Sequence, residues 1–169
     1  MKLWIAQGFG VGRIPFAQGT FGSLIGLAWF ALLLCGRSWL IFAAGAAVGV
    51  VVSIWLCGEG EKQLNKKDPG SVILDEITAI PLCFVAAMIL ACLRQNRTFW
   101  PGPAYFFSEA HGLQTAAIFL LFRLFDIWKP WPVRQSQSLS GGLGITVDDV
   151  LAAGYVNLVV LAASPFVRL

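Results

Sequence analysis

The chain has 169 residues; 57% are hydrophobic, 12% are charged, and the formal net charge is +3. This composition, with its apolar residues in long blocks, predicts a small polytopic membrane protein with one domain over residues 1–169 and no separate soluble module. The small positive charge gives no indication of a nucleic-acid partner and suits basic residues that face anionic lipid head groups of the bilayer. The four cysteines fit neither the spacing of a zinc site nor that of a redox pair, so we expect buried thiols.

Five apolar segments predict an all-α membrane helix bundle with about five membrane segments. They are residues 21–35, 39–57, 77–93, 113–128 and 147–166. The first is short, because a full span needs about 20 residues, so it either begins earlier or inserts only in part. Pro81 predicts a kink or a first helical turn in the third segment, and Pro130 and Pro132 end the fourth. The loop at residues 94–112 has no feature that indicates a role.

The basic residues predict the orientation of this bundle, since cytoplasmic loops are enriched in Lys and Arg. With the amino terminus inside, five spans place eight basic residues in the cytoplasm and four outside. The inner set is Lys2, Arg13, Lys62, Lys66, Lys67, Arg123, Lys129 and Arg134; the outer set is Arg37, Arg94, Arg97 and Arg168. We therefore expect a cytoplasmic amino terminus.

Acidic residues stand at the edges of the apolar segments, although the chain has only nine in all. They are Asp75, Glu76, Asp126, Asp148 and Asp149. A charge at the centre of a bilayer costs about 2.5–3.5 kcal/mol on insertion scales, so such groups persist only where something neutralises or hydrates them. The predicted threading brings these acids to the cytoplasmic membrane surface, where they would repel one another without a cation or protons. An all-oxygen set suits a hard ion, Mg²⁺ before Mn²⁺ or Ca²⁺, unless the acids merely reach the interface from helix ends.

Two cations share this surface with the acids. Arg123, Asp126 and Lys129 follow one another at intervals of three residues and can share a helix face. Arg123 could hold a phosphate through two donors, while Lys129 would add a point charge. The alternative is that Arg123 only neutralises Asp126.

Glycine-rich stretches flank the same surface at residues 8–12, 19–23 and 141–144. Glycines let backbone amides approach a phosphate, particularly where a helix begins directly afterwards. A further small-residue spacing, Gly45 and Gly49, indicates close helix packing within the bundle or between subunits, which leaves a homo-oligomer open.

The catalytic residues that the chain lacks narrow the range of mechanisms for the site. Its one histidine, His111, falls in a predicted outer loop, which disfavours phosphohistidine and serine-hydrolase mechanisms at an inner site. No cysteine is followed by an arginine at the spacing of a thiolate phosphatase loop. Metal-assisted hydrolysis or transfer at a phosphate remains, with water or a carboxylate as the nucleophile.

Four motifs resemble those of the phosphatidylglycerophosphatase A family, in the same order along the chain. They are GTFGS at residues 19–23, LDE at 74–76, FRLFDIWKPWP at 122–132 and GGLGITVDD at 141–149. The similarity runs from about residue 8 to residue 154, and it departs from the family's pattern at Gln18 and at Ala152 and Ala153, where no candidate ligand is lost. The resemblance implies a Mg²⁺-dependent lipid phosphatase of the bacterial inner membrane. Such an enzyme removes the terminal phosphate of phosphatidylglycerophosphate at the cytoplasmic leaflet, which gives phosphatidylglycerol.

With this resemblance, we expect the acids to hold Mg²⁺ and the cations to hold the substrate phosphate. The expected metal ligands are Asp75, Glu76, Asp126 and Asp149, with Asp148 either a fifth ligand or the base that orients water. The expected phosphate contacts are Arg123 and Lys129, helped by Thr20, Ser23 and Gly142. Water attack is favoured over an aspartyl-phosphate intermediate. A cation or proton transporter and a non-catalytic lipid-binding protein are the alternatives.

Overall fold

The computed structural model describes residues 1–95 and 98–166, and every regular element within those ranges is a helix. The α-helices are α1 Lys2–Ala6, α2 Gln18–Leu34, α3 Trp39–Leu64, α4 Leu74–Cys83, α5 Val85–Gln95, α6 Pro103–Phe106, α7 Gly112–Trp128, α8 Val133–Ser136 and α9 Gly142–Ala163. The predicted all-α class is therefore confirmed. Arg97 and Arg168, both in the predicted outer set, lie outside the described residues.

Among the described residues, three helical stretches are long and apolar enough to cross a membrane by length and composition: Trp39–Leu64, Leu74–Gln95 and Gly142–Ala163. The other two predicted segments correspond to α2 and α7, which have 17 residues each. The count of five spans and the orientation therefore stay predictions. Two boundaries differ in a way that matters for the site: α3 continues beyond residue 57 into a polar end, and α9 begins at Gly142 and not at 147. Consequently the paired aspartates lie inside α9.

The third predicted segment is broken into α4 and α5, which are separated by Phe84. Pro81 lies within α4 just before the break, where its ring removes one backbone donor from the helix. In an unbroken helix the Ala86 N–H would donate to the Leu82 carbonyl. Instead Asn157 of α9 takes both places: its Oδ1 accepts from Ala86 N at 2.7 Å, and its Nδ2 donates to Leu82 O at 2.7 Å. The polar side chain thus joins α9 to the break without leaving either backbone group unpaired.

Helix α4 is central, because α2, α3 and α9 all pack against it. Its start is held by the amino-terminal segment, where Ile73 N donates to the Ala6 carbonyl at 3.0 Å. At the other end, Phe30 stacks on Phe84 with ring centroids 4.1 Å apart, and Phe106 packs edge-on against both. The loop at residues 94–112, for which the sequence indicated no role, therefore contributes α6 to the aromatic core. This packing fixes the first turn of α4 between several helices.

Candidate active site

Three carboxylates meet between α4 and α9. Asp75 and Glu76 stand in the first turn of α4, and Asp149 projects from α9. One oxygen from each lies within 4.8 Å of the others. Asp75 and Asp149 are buried, with 6% and 2% of their surfaces exposed. We call Asp75, Glu76 and Asp149 the acidic cluster.

Each member of the acidic cluster has an oxygen that is buried and without a hydrogen-bond partner: Oδ1 of Asp75, Oε2 of Glu76 and Oδ2 of Asp149. Buried polar groups are normally paired, and unpaired ones raise the free energy of the folded state. Three neighbouring carboxylates, each with an acceptor that lacks a donor, fit a hard cation such as Mg²⁺, which prefers oxygen ligands. The residues present therefore fit the expected metal.

Asp126, also expected as a metal ligand, lies beside the acidic cluster and not within it. Its carboxyl group is close enough to that of Asp149 to interact with it. Its Oδ2, however, accepts a hydrogen bond from Nη1 of Arg123 at 2.6 Å. Asp126 thus connects the cluster to the arginine.

Arg123 lies among acidic and hydroxyl groups from three helices. Besides Asp126, its Nη1 reaches Oγ of Ser23 on α2 at 3.4 Å and Oε1 of Glu76 on α4 at 3.9 Å. Its Nε is buried and has no partner. The guanidinium group therefore neutralises Asp126, as the alternative interpretation held, and still keeps a donor for another acceptor.

The first turn of α2 lies directly against these charges. A Cβ at Gly19 would overlap Oε1 of Glu76 and come within 2.9 Å of Nη1 of Arg123. Ser23 is buried and donates its hydroxyl to the Gly19 carbonyl at 2.8 Å. Thr20 is half-buried on the same turn. The GTFGS motif therefore forms one wall of the site.

Asp148 lies in a second cluster of polar side chains, with Lys129 and Gln137, although it is next to Asp149 in the sequence. Its Oδ2 accepts from Nζ of Lys129 at 2.6 Å and from Nε2 of Gln137 at 3.0 Å, and its Oδ1 accepts from Asp149 N at 3.1 Å. Burial lowers the pKa of Lys129, but the hydrogen bond and the charge of Asp148 raise it by more, so this pKa stands above its ordinary value. Lys129 therefore stays a cation at neutral pH.

Gly142 packs against α3, and its expected contact with the substrate phosphate stays a prediction. A Cβ there would overlap the carbonyl oxygen of Ile54 and come within 2.7 Å of Gly58 N, both on α3. Close packing between α9 and α3 accounts for this glycine. The structure thus brings together the other expected site residues in two adjoining groups and leaves Gly142 at a helix contact.

Two residues of the site carried no signal in the sequence. Gln137 donates to Asp148, and the same nitrogen donates to Oδ2 of Asp68 at 3.3 Å. Both residues lie in polar connections between helices, without a motif or a helical spacing to mark them. His111 stacks on Tyr105 at the start of α7, the opposite end of that helix from Asp126.

Comparison with known proteins gives consistent matches. The family model described as Phosphatidylglycerophosphatase A matches residues 4–164. The chain is similar to Phosphatidylglycerophosphatase A of Escherichia coli K12, with 31% identity over 88% of this chain and 74% of the relative. It is 34% identical to Phosphatidylglycerophosphatase A of Haemophilus influenzae over 94% of this chain and 85% of the relative. A relative from Bacteroides thetaiotaomicron, 32% identical over 96% of this chain and 93% of the relative, is named provisionally as a phosphatidylinositol-3-phosphatase. No solved structure matches the chain.

Proposed function

Because the chain belongs to the phosphatidylglycerophosphatase A family, we propose that it is a membrane phosphatase that hydrolyses the terminal phosphate monoester of phosphatidylglycerophosphate to phosphatidylglycerol, in phospholipid biosynthesis. The observation that carries this proposal is the pairing of three buried, unpartnered carboxylate oxygens with an arginine that keeps a free donor. Hydrolysis of a phosphate monoester is favoured by positive charge and rigid hydrogen-bond donors around the phosphoryl group. A transporter is not favoured, because neither family nor relatives carry such a name.

The acidic cluster would hold Mg²⁺ through Asp75, Glu76 and Asp149, and Asp126 would be the nearest further carboxylate. When bound, Mg²⁺ would supply the positive charge that lets a phosphate approach a group of acids. Asp148 would hold Lys129 through the hydrogen bond to its Oδ2, and it is proposed either as a fifth ligand or as the base that orients water.

The cations of the site would bind the substrate phosphate. Arg123 would donate from its free Nε, and Lys129 would add charge from the adjoining group. As water attacks, its oxygen forms a bond to phosphorus while the bond from phosphorus to the glycerol oxygen breaks, and negative charge grows on the phosphoryl oxygens. The water loses a proton, and the glycerol oxygen gains one and leaves as a hydroxyl group. Arg123 and Lys129 would stabilise that charge without moving, since Asp126 and Asp148 hold them in place.

The proposed enzyme lies in the bacterial inner membrane with five spans, a cytoplasmic amino terminus and a site at the cytoplasmic face. Exposed lysines at the end of α3, Lys62, Lys66 and Lys67, support this placement. The acyl chains of the substrate would remain in the bilayer beside the bundle.

The test is phosphate release from phosphatidylglycerophosphate in detergent, with Mg²⁺ or with EDTA. We expect release by the parent only with Mg²⁺, and a rate at least about 100-fold lower for Asp149→Asn. Glu109→Gln, an exposed acid-to-amide change in the loop before α7, is the matched control and should keep the parent rate. Absence of release by the parent, or equal release by Asp149→Asn, would contradict the proposal. Mg²⁺ flux into vesicles without phosphate release would favour the transporter.

Thermal unfolding of the same proteins reports the ion independently of catalysis. Without a cation the three acids repel one another, so Asp149→Asn should unfold at a higher temperature than the parent in EDTA. Millimolar Mg²⁺ should stabilise the parent and have little effect on the variant. If Mg²⁺ did not change the unfolding temperature of the parent, the acidic cluster would be excluded as the Mg²⁺ site.

A further inference from the structure

Gln137 connects two carboxylates that belong to different parts of the chain. Its Nε2 donates to Oδ2 of Asp148 at 3.0 Å and to Oδ2 of Asp68 at 3.3 Å. Since carboxylates only accept hydrogen bonds, the amide nitrogen is the atom that faces both. Asp68 precedes α4, while Gln137 lies between α8 and α9. One side chain thus links the connection before α4 to the Lys129–Asp148 pair.

The position of the Lys129 side chain depends on Asp148. It ends α7 in the left-handed conformation, with φ 49° and ψ 62°, which is unfavourable for a residue with a side chain. Its ammonium group bonds Oδ2 of Asp148, the same oxygen that accepts from Gln137. If Asp148 rotated, Lys129 would lose its partner. The position of the ammonium group is therefore set by whatever fixes the rotation of Asp148.

Gln137 is placed to fix that rotation without forming part of the hydrophobic core. It is half-buried and lines a cavity of about 350 Å³ together with Glu61, Lys67 and Asp68. A side chain at the wall of a cavity can lose its amide without a loss of core packing. The amide is thus needed for its hydrogen bonds rather than for its volume.

We propose that Gln137 is a positioning residue, which holds Asp148, and through it Lys129, in the orientation that binds the substrate phosphate. Asp68 accepts a hydrogen bond from the same amide nitrogen and so limits its rotation away from Asp148. The inference rests on the proposed function for its catalytic consequence, but the orientation of Lys129 is a property of the protein itself.

The catalytic test is a double-mutant cycle on phosphate release from phosphatidylglycerophosphate. Gln137→Met keeps the length of the side chain and removes the donor, and it should lower kcat/KM about tenfold. If Gln137 acts through Lys129, the same change should cause little further loss in a Lys129→Met background. Gln135→Met, at an exposed position two residues earlier, is the matched control and should keep the parent rate. Equal losses in both backgrounds, or no loss from Gln137→Met, would overturn the proposal.

A second arm needs no catalysis. Limited acetylation of the detergent-solubilised protein, quantified by mass spectrometry, measures the accessibility of Lys129 against exposed Lys66 in the same sample. Gln137→Met should raise the modification of Lys129 severalfold, and Gln135→Met should not.

Unchanged modification of Lys129 would overturn the proposal that Gln137 positions it, even if the lipid is hydrolysed. If the parent releases no phosphate, the proposed function fails, and this arm alone decides the inference. Thermal unfolding shows whether Gln137→Met is folded. If it is not, Gln137→Asn, which retains the amide, replaces it in both arms.

Discussion

Gly19 shows how closely single residues are fitted at the candidate active site. It occupies a helix, where alanine is normally favoured over glycine by roughly 0.5–1 kcal/mol. The space that a Cβ would need is already filled by Glu76 and Arg123. Glycine therefore fits the packing at a position where the helix backbone alone would favour alanine.

Gly19→Ala should lower the rate of phosphate release at least about tenfold, because the methyl group displaces a charged side chain that has to hold its place within about 1 Å. Gly154→Ala is the control: a Cβ there has nothing within 4 Å, so activity should stay unchanged and the free energy of unfolding should rise by roughly 0.5–1 kcal/mol. Phosphate release and thermal unfolding, measured on both variants, check this. A fully active Gly19→Ala protein would mean that Glu76 and Arg123 can move without consequence.

The charged residues of the candidate site could be predicted from the sequence, but their pairing could not. Neighbours on a helix point about 100° apart, so Asp148 and Asp149 had to face different surroundings. Which of them faces α4 depends on where α9 lies relative to its neighbours. Gln137 is a clearer case, since a single amide in a polar connection has no periodicity that would mark it.

At the scale of helices, Asn157 is the residue on which the break between α4 and α5 depends. Its side-chain amide forms hydrogen bonds with one backbone donor and one backbone acceptor, which would pair with each other in a continuous helix. In an apolar environment neither group has water as a substitute partner.

Asn157→Leu should destabilise the protein by about 2–4 kcal/mol, because Ala86 N and Leu82 O are left unpaired. Gln114→Leu on α7 is the comparison: its Oε1 is buried without a partner, so an apolar replacement should cost little or be stabilising. Chemical unfolding in detergent would measure both. If Asn157→Leu kept full stability, α4 and α5 would have to join into one continuous helix.

The sequence predicted an irregular helix in the third apolar segment, but it did not predict which side chain pairs the open backbone groups. Pro81 indicated a kink in the third apolar segment, and the break follows it closely. The group that pairs the open backbone lies 75 residues further along the chain from Leu82. A contact over that separation is decided by how α9 packs, which local propensity does not encode.

For the whole molecule, the arrangement in the membrane is the main expectation still to be tested. Five spans with a cytoplasmic amino terminus place exposed Cys35, at the end of α2, on the outside and Lys66 on the inside. The prediction of buried thiols is therefore wrong for Cys35, and it is confirmed for the other three cysteines, which should not compete for a label.

A membrane-impermeant maleimide should label Cys35 in intact spheroplasts. In a Cys35→Ser background, Lys66→Cys should be labelled only after the membrane is opened. The opposite pattern would reverse the orientation, and labelling of both positions from outside would contradict the five-span count. The fold class could be predicted from composition, whereas the number of spans could not, because 17-residue helices such as α2 lie at the limit of what crosses a bilayer.

The acidic cluster also dictates an order of events during biosynthesis. Asp75 and Glu76 emerge from the ribosome long before Asp149, which arrives with the last long helix. Until that helix is made, the two earlier acids lack Asp149, the third member of the cluster. If the cluster holds an ion as proposed, capture of the ion would be a late step of assembly, and a chain halted before α9 would keep an incomplete site.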